Sequence, residues 1–222
     1  MEKHKRKERQ KRAKKIIVML RKLYPDPNTE LNYKSNWELL VAVILSAQCT
    51  DKRVNEVTKK LFKKYRTLNA YTKATQKEFE QDIKSTGFYR NKAKNILAAA
   101  KRVSEEFKGK LPKTIQEMIT IPGVGRKTAN VVLSHAYGII EGIAVDTHVR
   151  RLALRFDLTD YKDPIRIERD LMEILPKKDW QYVNNQMVMY GRYVCKARKH
   201  DCGEHPLTKI YPKANSIWPR SK

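Results

Sequence analysis

Ile121-Pro122-Gly123-Val124-Gly125-Arg126-Lys127-Thr128-Ala129-Asn130 holds a tight Gly-x-Gly turn that runs directly into a helix, and its reading decides the fold. Upstream, Thr114-x-x-Glu117 has the spacing of a capping box that opens a short helix. Downstream, Ala129, Val131, Val132 and Ala136 continue a helical stripe as far as Gly138. The segment reads as helix (114–119), hairpin (120–126) and helix (from 127), a helix-hairpin-helix. A nucleotide-binding P-loop is excluded, because the spacing between the glycines is wrong and no strand precedes them. The glycines let a phosphate approach the backbone without a Cβ in the way, and such a turn points N–H groups outward. On the hairpin alone, an ordinary interhelical turn is the alternative.

Helical signals extend in both directions. Leu39 to Leu45 is apolar on every side, as a core helix is. Thr50-Asp51 caps a helix with the stripe Val54, Val57, Leu61, Phe62 and Tyr65. Thr75-x-x-Glu78 is a second capping box. Ala93, Ile96, Leu97, Ala100, Val103 and Phe107 mark a longer helix closed by Gly109, and Asp163-Pro164 starts another. No alternating strand appears, so the chain is expected to be all-α. Residues 2–15 hold nine Lys/Arg and read as a basic arm running into an amphipathic helix, which Pro25-Asp26-Pro27-Asn28 stops. Two roles suit the arm: a nuclear localisation signal, or a helix end that binds phosphates nonspecifically.

Composition narrows the partner. The 222 residues carry 48 Lys+Arg against 24 Asp+Glu, a formal net charge of +24, which points to a polyanion; a solvated or ribosome-associated surface is the alternative. No run of roughly 18 apolar residues exists, so no membrane span is expected. The polar N-terminus carries no secretory signal, and three cysteines (Cys49, Cys195, Cys202) do not make a disulfide framework. A reducing compartment, the cytoplasm with nucleoid association, is the expected location.

Lys127 and Asp146 are the candidate chemical groups. A helix end that disfavours added positive charge favours the unprotonated amine that a nucleophile needs. Asp146, ahead of Val149, Leu152 and Ala153, reads on its own as a helix N-cap, a role compatible with facing a cleft.

Ile121–Asn130 and Val145-Asp146-Thr147-His148, together with Leu45-Ser46-Ala47-Gln48 and Thr86-Gly87-Phe88-Tyr89, resemble endonuclease III. That family comprises bifunctional glycosylase/lyases of base excision repair in the helix-hairpin-helix glycosylase superfamily. The likeness runs from about residue 29 to about 202. It implies a six-helix domain (29–140) containing the helix-hairpin-helix (about 114–137). A second helical domain comes from both termini (1–28 plus 141–222), with the DNA cleft between the two. It implies Lys127 as nucleophile and Asp146 as its catalytic partner. Gln48 is matched to the residue that fills the hole left by a flipped base, and Phe88 to the wedge, where leucine is more usual. Core packing is the other reading of Phe88. DNA contacts are expected from Gln48, Phe88, Gly123, Val124, Gly125, Arg126, Thr128 and His148. The implied substrate is double-stranded DNA with oxidised pyrimidines or abasic sites, and a monomer is expected. A non-catalytic helix-hairpin-helix DNA-binding protein and a monofunctional mismatch glycosylase are the rivals.

The chain departs from the family near its end. Endonuclease III usually carries Cys-x6-Cys-x2-Cys-x5-Cys, which holds a [4Fe–4S] cluster. Here Cys195-x6-Cys202 keeps the first half, and the third and fourth positions fall on His205 and Tyr211. Two thiolates do not hold a cluster that takes four, so the [4Fe–4S] cluster is expected to be absent, with no other cofactor. A zinc site from Cys195, Cys202, His205 and His200 is the alternative, and no metal is the expectation. Ile210, Tyr211, Ile217 and Trp218 are expected to anchor the tail instead.

Overall fold

Seven apolar residues in a row, Leu39 to Leu45, leave a helix no polar face to turn to water, so other elements must surround it. The computed structural model describes residues 3–25 and 29–218. In it α2 (Asn36–Leu45) has all seven buried, with α3 (Asp51–Lys64), α6 (Tyr89–Glu106) and α8 (Arg126–Tyr137) packed around it. α4 (Leu68–Lys73) and α5 (Gln76–Ile83) lie on α6, and α7 (Ile115–Met118) leads into α8. Trp37, Tyr65, Tyr71 and Phe79 add a cluster of rings with centroids 5.2–5.8 Å apart. These elements make up one compact unit, Glu30–Glu141.

Local chemistry sets most of the helix starts. The side chains of Ser35, Thr50, Thr67, Thr75 and Thr114 each accept the backbone N–H three residues on, so the capping signals in the sequence are realised. No strand forms among the described residues, and the fold is all-α. Among them, no helix is long and apolar enough to cross a membrane.

The second unit combines Met1–Thr29 with Gly142–Lys222. α1 (Lys3–Leu23) packs on α10 (Pro164–Ile174), α11 (Trp180–Tyr193) and α12 (Pro206–Ile210), while α9 (Thr147–Arg155) packs on α10 and α11. Its core joins Ala13, Ile16, Ile17 and Leu20 of α1 to Val149, Leu152, Leu171 and Met187. Asp163 caps α10 with Pro164 in its first turn, as the sequence reads.

The basic arm differs from expectation. From Lys3 onward it is part of α1, and several of its cations are turned inward. Arg9 is only 1% exposed and donates to Asp157 and Asp160, at 2.7 Å each. Arg12 donates to the Asp157 carboxylate and to the Phe156 and Asp157 carbonyls, Lys5 to Asp160, and Arg21 pairs with Asp179. The helix is amphipathic, so its inner face must bury stems and heads together, and carboxylates from the other end of the chain meet them. The expected stop at Pro25–Asn28 falls largely on residues 26–28, outside the described residues.

The hydrogen bond from Arg9 holds the Asp160 carboxyl below the usual carboxylate range, with help from Lys5. A depressed carboxyl contributes stability above its unfolded pKa of about 3.9 and loses it as pH falls through the folded value. Arg9→Met should therefore destabilise the protein by roughly 1.5–3 kcal/mol at neutral pH, the worth of hydrogen bonds to charged groups. Urea unfolding at a series of pH values should show the gap between wild type and variant narrowing below about pH 4.

Candidate active site and cysteine loop

The Gly-Val-Gly turn is held from beneath. Ile121 and Val124 are both buried in the Glu30–Glu141 core, and the Val124 N–H donates to the Ile121 carbonyl at 3.0 Å. Val124 is expected from the sequence among the DNA-contacting residues; the structure buries its side chain, and its N–H is engaged within the turn by the Ile121 carbonyl. The two glycines also differ. Gly123 has φ +80, and a Cβ there would stand 2.9 Å from Asn95 Cβ, so only glycine fits. Gly125 has φ −88, and nothing lies within 4 Å of where its Cβ would be. No internal contact requires glycine at 125; its bare backbone faces open space.

Helix α8 begins at Arg126, with Gly125 as an N-cap that has no side chain to offer. The N–H groups of Lys127 and Thr128 fall in the first turn, where no carbonyl of the same helix can accept them. Lys127 is exposed, with no hydrogen-bond or ion-pair partner among the described residues. Arg126 beside it is exposed and Thr128 half-buried. An anion is the natural occupant of such a helix end, and an unpaired amine stands in it.

Gln48 and Phe88 share a backbone feature that the sequence did not disclose. Both are non-glycine residues in the left-handed region, with φ 54 and φ 48. Both are exposed, and Phe88, at 63%, is the most exposed large hydrophobic among the described residues. Core packing is therefore not the role of that ring. One side chain supports both turns. Lys92, on α6 and 5% exposed, donates its Nζ to the Leu45 carbonyl and the Thr86 carbonyl, at 2.8 Å each. Leu45 ends α2 three residues before Gln48, and Thr86 lies two before Phe88. Burial pulls the Lys92 ammonium below its usual range. Sequence reasoning does not single out Lys92; the available signal is a lysine adjoining the apolar stripe that starts at Ala93.

Asp146 belongs to the other unit. It is half-buried and caps α9, one oxygen accepting the Val149 N–H at 2.8 Å. Its second oxygen makes no hydrogen bond among the described residues. His148, expected at the DNA surface, is half-buried over Gly191 of α11, with Nδ1 3.4 Å from Arg151. Burial, with Arg151 and Arg192, holds that imidazole below its usual range against the pull of Asp146.

The cysteine loop is organised by an arginine. Arg155, fully buried at the end of α9, donates to Cys195 Sγ at 2.8 Å, Cys202 Sγ at 2.7 Å and the Ala214 carbonyl at 2.9 Å. The Trp218 ring lies 3.6 Å from its guanidinium. Trp218 thus anchors by cation–π contact, whereas Ile210 and Tyr211 pack on the apolar core. The Tyr211 ring also stacks 4.2 Å from the Arg12 guanidinium of α1. A [4Fe–4S] cluster does not fit this donor set: two thiols, already hydrogen-bonded by Arg155, an imidazole, and a phenol engaged with α1. Sequence reasoning misses Arg155 too, although its spacing from Leu152 puts it on the buried face of α9.

The family profile described as HhH-GPD superfamily base excision DNA repair protein matches residues 41–177. The chain is 51% identical over 208 residues to endonuclease III of Synechocystis sp., covering 94% of this chain and 95% of that protein. It is 39% identical to endonuclease III of Escherichia coli K12, over 85% and 89% of the two chains. Among solved structures it resembles a trapped endonuclease III–DNA covalent intermediate, with TM-score 0.88, 42% identity, and 93% and 97% of the chains covered. A thermostable thymine-DNA glycosylase, at 20% identity and TM-score 0.80, shares the fold.

Three substitutions probe this geometry. Lys92→Met strands two buried carbonyls and should lower stability by about 1–3 kcal/mol, read by chemical denaturation. Gly123→Ala should cost more than about 1 kcal/mol, whereas Gly125→Ala, which meets no steric clash but replaces a favoured N-cap residue, should cost less, about 0.5 kcal/mol.

Proposed function

Because the chain belongs to the HhH-GPD superfamily of base excision DNA repair proteins, we infer that it is a bifunctional DNA glycosylase and AP lyase. Its substrate is double-stranded DNA carrying oxidised pyrimidines or abasic sites. The observation that carries this reading is Lys127, an exposed and unpaired amine in the open first turn of α8.

The open end of α8, with Gly123 and Gly125, receives a backbone phosphate, and exposed cations supply nonspecific affinity. Chemistry on a base requires extruding it from the stack, and Gln48 and Phe88 then hold the vacated gap. The unprotonated Lys127 amine attacks C1′ of the extruded nucleotide. The glycosidic C1′–N bond breaks, its electron pair leaves with the base, and the base takes up a proton. Asp146 offsets the positive charge that develops on the sugar, using the carboxylate oxygen not engaged by Val149. Transfer of a proton from the Lys127 nitrogen to O4′ opens the sugar and leaves a C1′=N Schiff base. Loss of a C2′ proton expels the 3′ phosphate by β-elimination, cutting the strand on the 3′ side of the lesion. Water then hydrolyses the imine and releases Lys127. Each step uses this chain's own groups, and none is routed through the [4Fe–4S] cluster, which we infer the chain does not hold.

Borohydride reduces a Schiff base to a stable amine, so it should cross-link the wild-type protein to DNA with a single abasic site. Lys127→Ala should abolish the cross-link; undiminished trapping would put the nucleophile elsewhere. Asn caps a helix as well as Asp does, so Asp146→Asn isolates the charge. Single-turnover cleavage should slow by on the order of 10² or more in Asp146→Asn, with little change in stability. Asp146→Ala should be as slow and lose about 1 kcal/mol in addition. Cleavage at the wild-type rate in Asp146→Asn would reduce that residue to a cap.

A further inference from the structure

Around the cysteine loop, side chains are left over that the repair chemistry does not use. Cys195 is buried at the end of α11, His200 stands in the loop after it, and His205 immediately precedes α12. One ligand atom from each lies within 4.8 Å of the other two. An ion at the centre of such a triangle is at most about 2.8 Å from each corner, a small contraction away from zinc–sulfur and zinc–nitrogen bonds of about 2.3 and 2.0 Å.

The imidazoles are prepared for a Lewis acid. His200 Nδ1 sits 2.7 Å from the Arg198 carbonyl, which only accepts, so Nδ1 carries the proton and Nε2 presents its lone pair. That Nε2 is buried with no hydrogen-bond partner, and so is His205 Nδ1. A ring bonded through one nitrogen to a backbone carbonyl and open at the other is the arrangement of metal-ligating histidines.

The sulfur is held in place, because the buried guanidinium of Arg155 donates to the Cys195 and Cys202 sulfurs and to the Ala214 carbonyl. Metal binding displaces the Cys195 thiol proton, and the thiolate formed is the ligand. Cys202 stays outside the group of three, its sulfur shared between Arg155 and Asn215. One thiolate and two imidazoles suit a single borderline-soft divalent ion, with solvent at the fourth position beside the half-exposed histidines.

We propose that Cys195, His200 and His205 form a mononuclear zinc site that ties the end of α11 to the start of α12. The test uses the full chain, stripped with a chelator and titrated with cobalt(II) and then zinc. One equivalent of cobalt should give the visible bands of a tetrahedral ion and a near-ultraviolet sulfur-to-cobalt charge-transfer band, and zinc should displace both. Cys195→Ser should remove the charge-transfer band. His200→Ala and His205→Ala, at half-exposed positions that leave the core intact, should each weaken binding by at least about 10-fold, because even outer-shell changes cost that much. Bound zinc should raise the melting temperature of the wild type and not that of His205→Ala. Absence of the charge-transfer band, wild-type affinity in both histidine variants, or stoichiometric iron with inorganic sulfide in the purified protein would each overturn the proposal.

Discussion

Forty-eight Lys and Arg side chains against twenty-four Asp and Glu repel one another in any compact state, and the fold holds where that repulsion is answered locally. Three cations are answered in the interior. Arg9 meets the carboxylates of Asp157 and Asp160, Lys92 meets the carbonyls of Leu45 and Thr86, and Arg155 meets two sulfurs, a carbonyl and an aromatic ring. A buried charge without partners costs several kcal/mol, so each of these contacts fixes its surroundings as well as neutralising itself. Each joins segments far apart in the chain: α1 to the turn after α9, α2 to the turn before α6, α9 to the cysteine loop.

The candidate active site depends on the second of these. Left-handed backbone at a non-glycine residue is strained and persists only where the surroundings over-determine it. Gln48 and Phe88 each sit in such a turn, and the Lys92 ammonium holds the backbone just ahead of both. A single buried lysine thus sets the two exposed side chains assigned to the gap in the base stack. The Gly-Val-Gly turn obeys the same logic with apolar contacts: Ile121 and Val124 reach down into the core, leaving Gly125 and the first turn of α8 bare above them. Asp146 shows how one carboxylate serves structure and chemistry, since capping occupies one oxygen and leaves the other.

In the cysteine loop, two thiols, an imidazole and a phenol stand where the family usually carries four thiolates. Tyr211 turns to α1, Trp218 covers Arg155, and Arg155 joins the remaining sulfurs. The tail anchor expected from the sequence is apolar; in the structure Ile210 and Tyr211 pack on the core, while Trp218 instead covers Arg155, because a fully buried guanidinium offers a face that a ring can cover without losing hydrogen bonds.

The sequence by itself determined the helices, their caps, the core face of α2, the helix-hairpin-helix, and the membership that Lys127, Asp146 and the Gly-Val-Gly turn carry. These are local signals: a cap acts over three residues, and an amphipathic stripe repeats over three or four. Tertiary structure alone decided that the basic arm is a docked helix face, that Val124 points inward, and that Gln48 and Phe88 lie in left-handed turns above Lys92. It alone packed His148 against Gly191 of α11 and brought two unpartnered imidazole nitrogens near a thiol. The physical reason is separation along the chain. Lys92 meets a carbonyl 47 residues away and Arg9 a carboxylate 148 away, and no periodicity encodes which buried cation will find which distant acceptor.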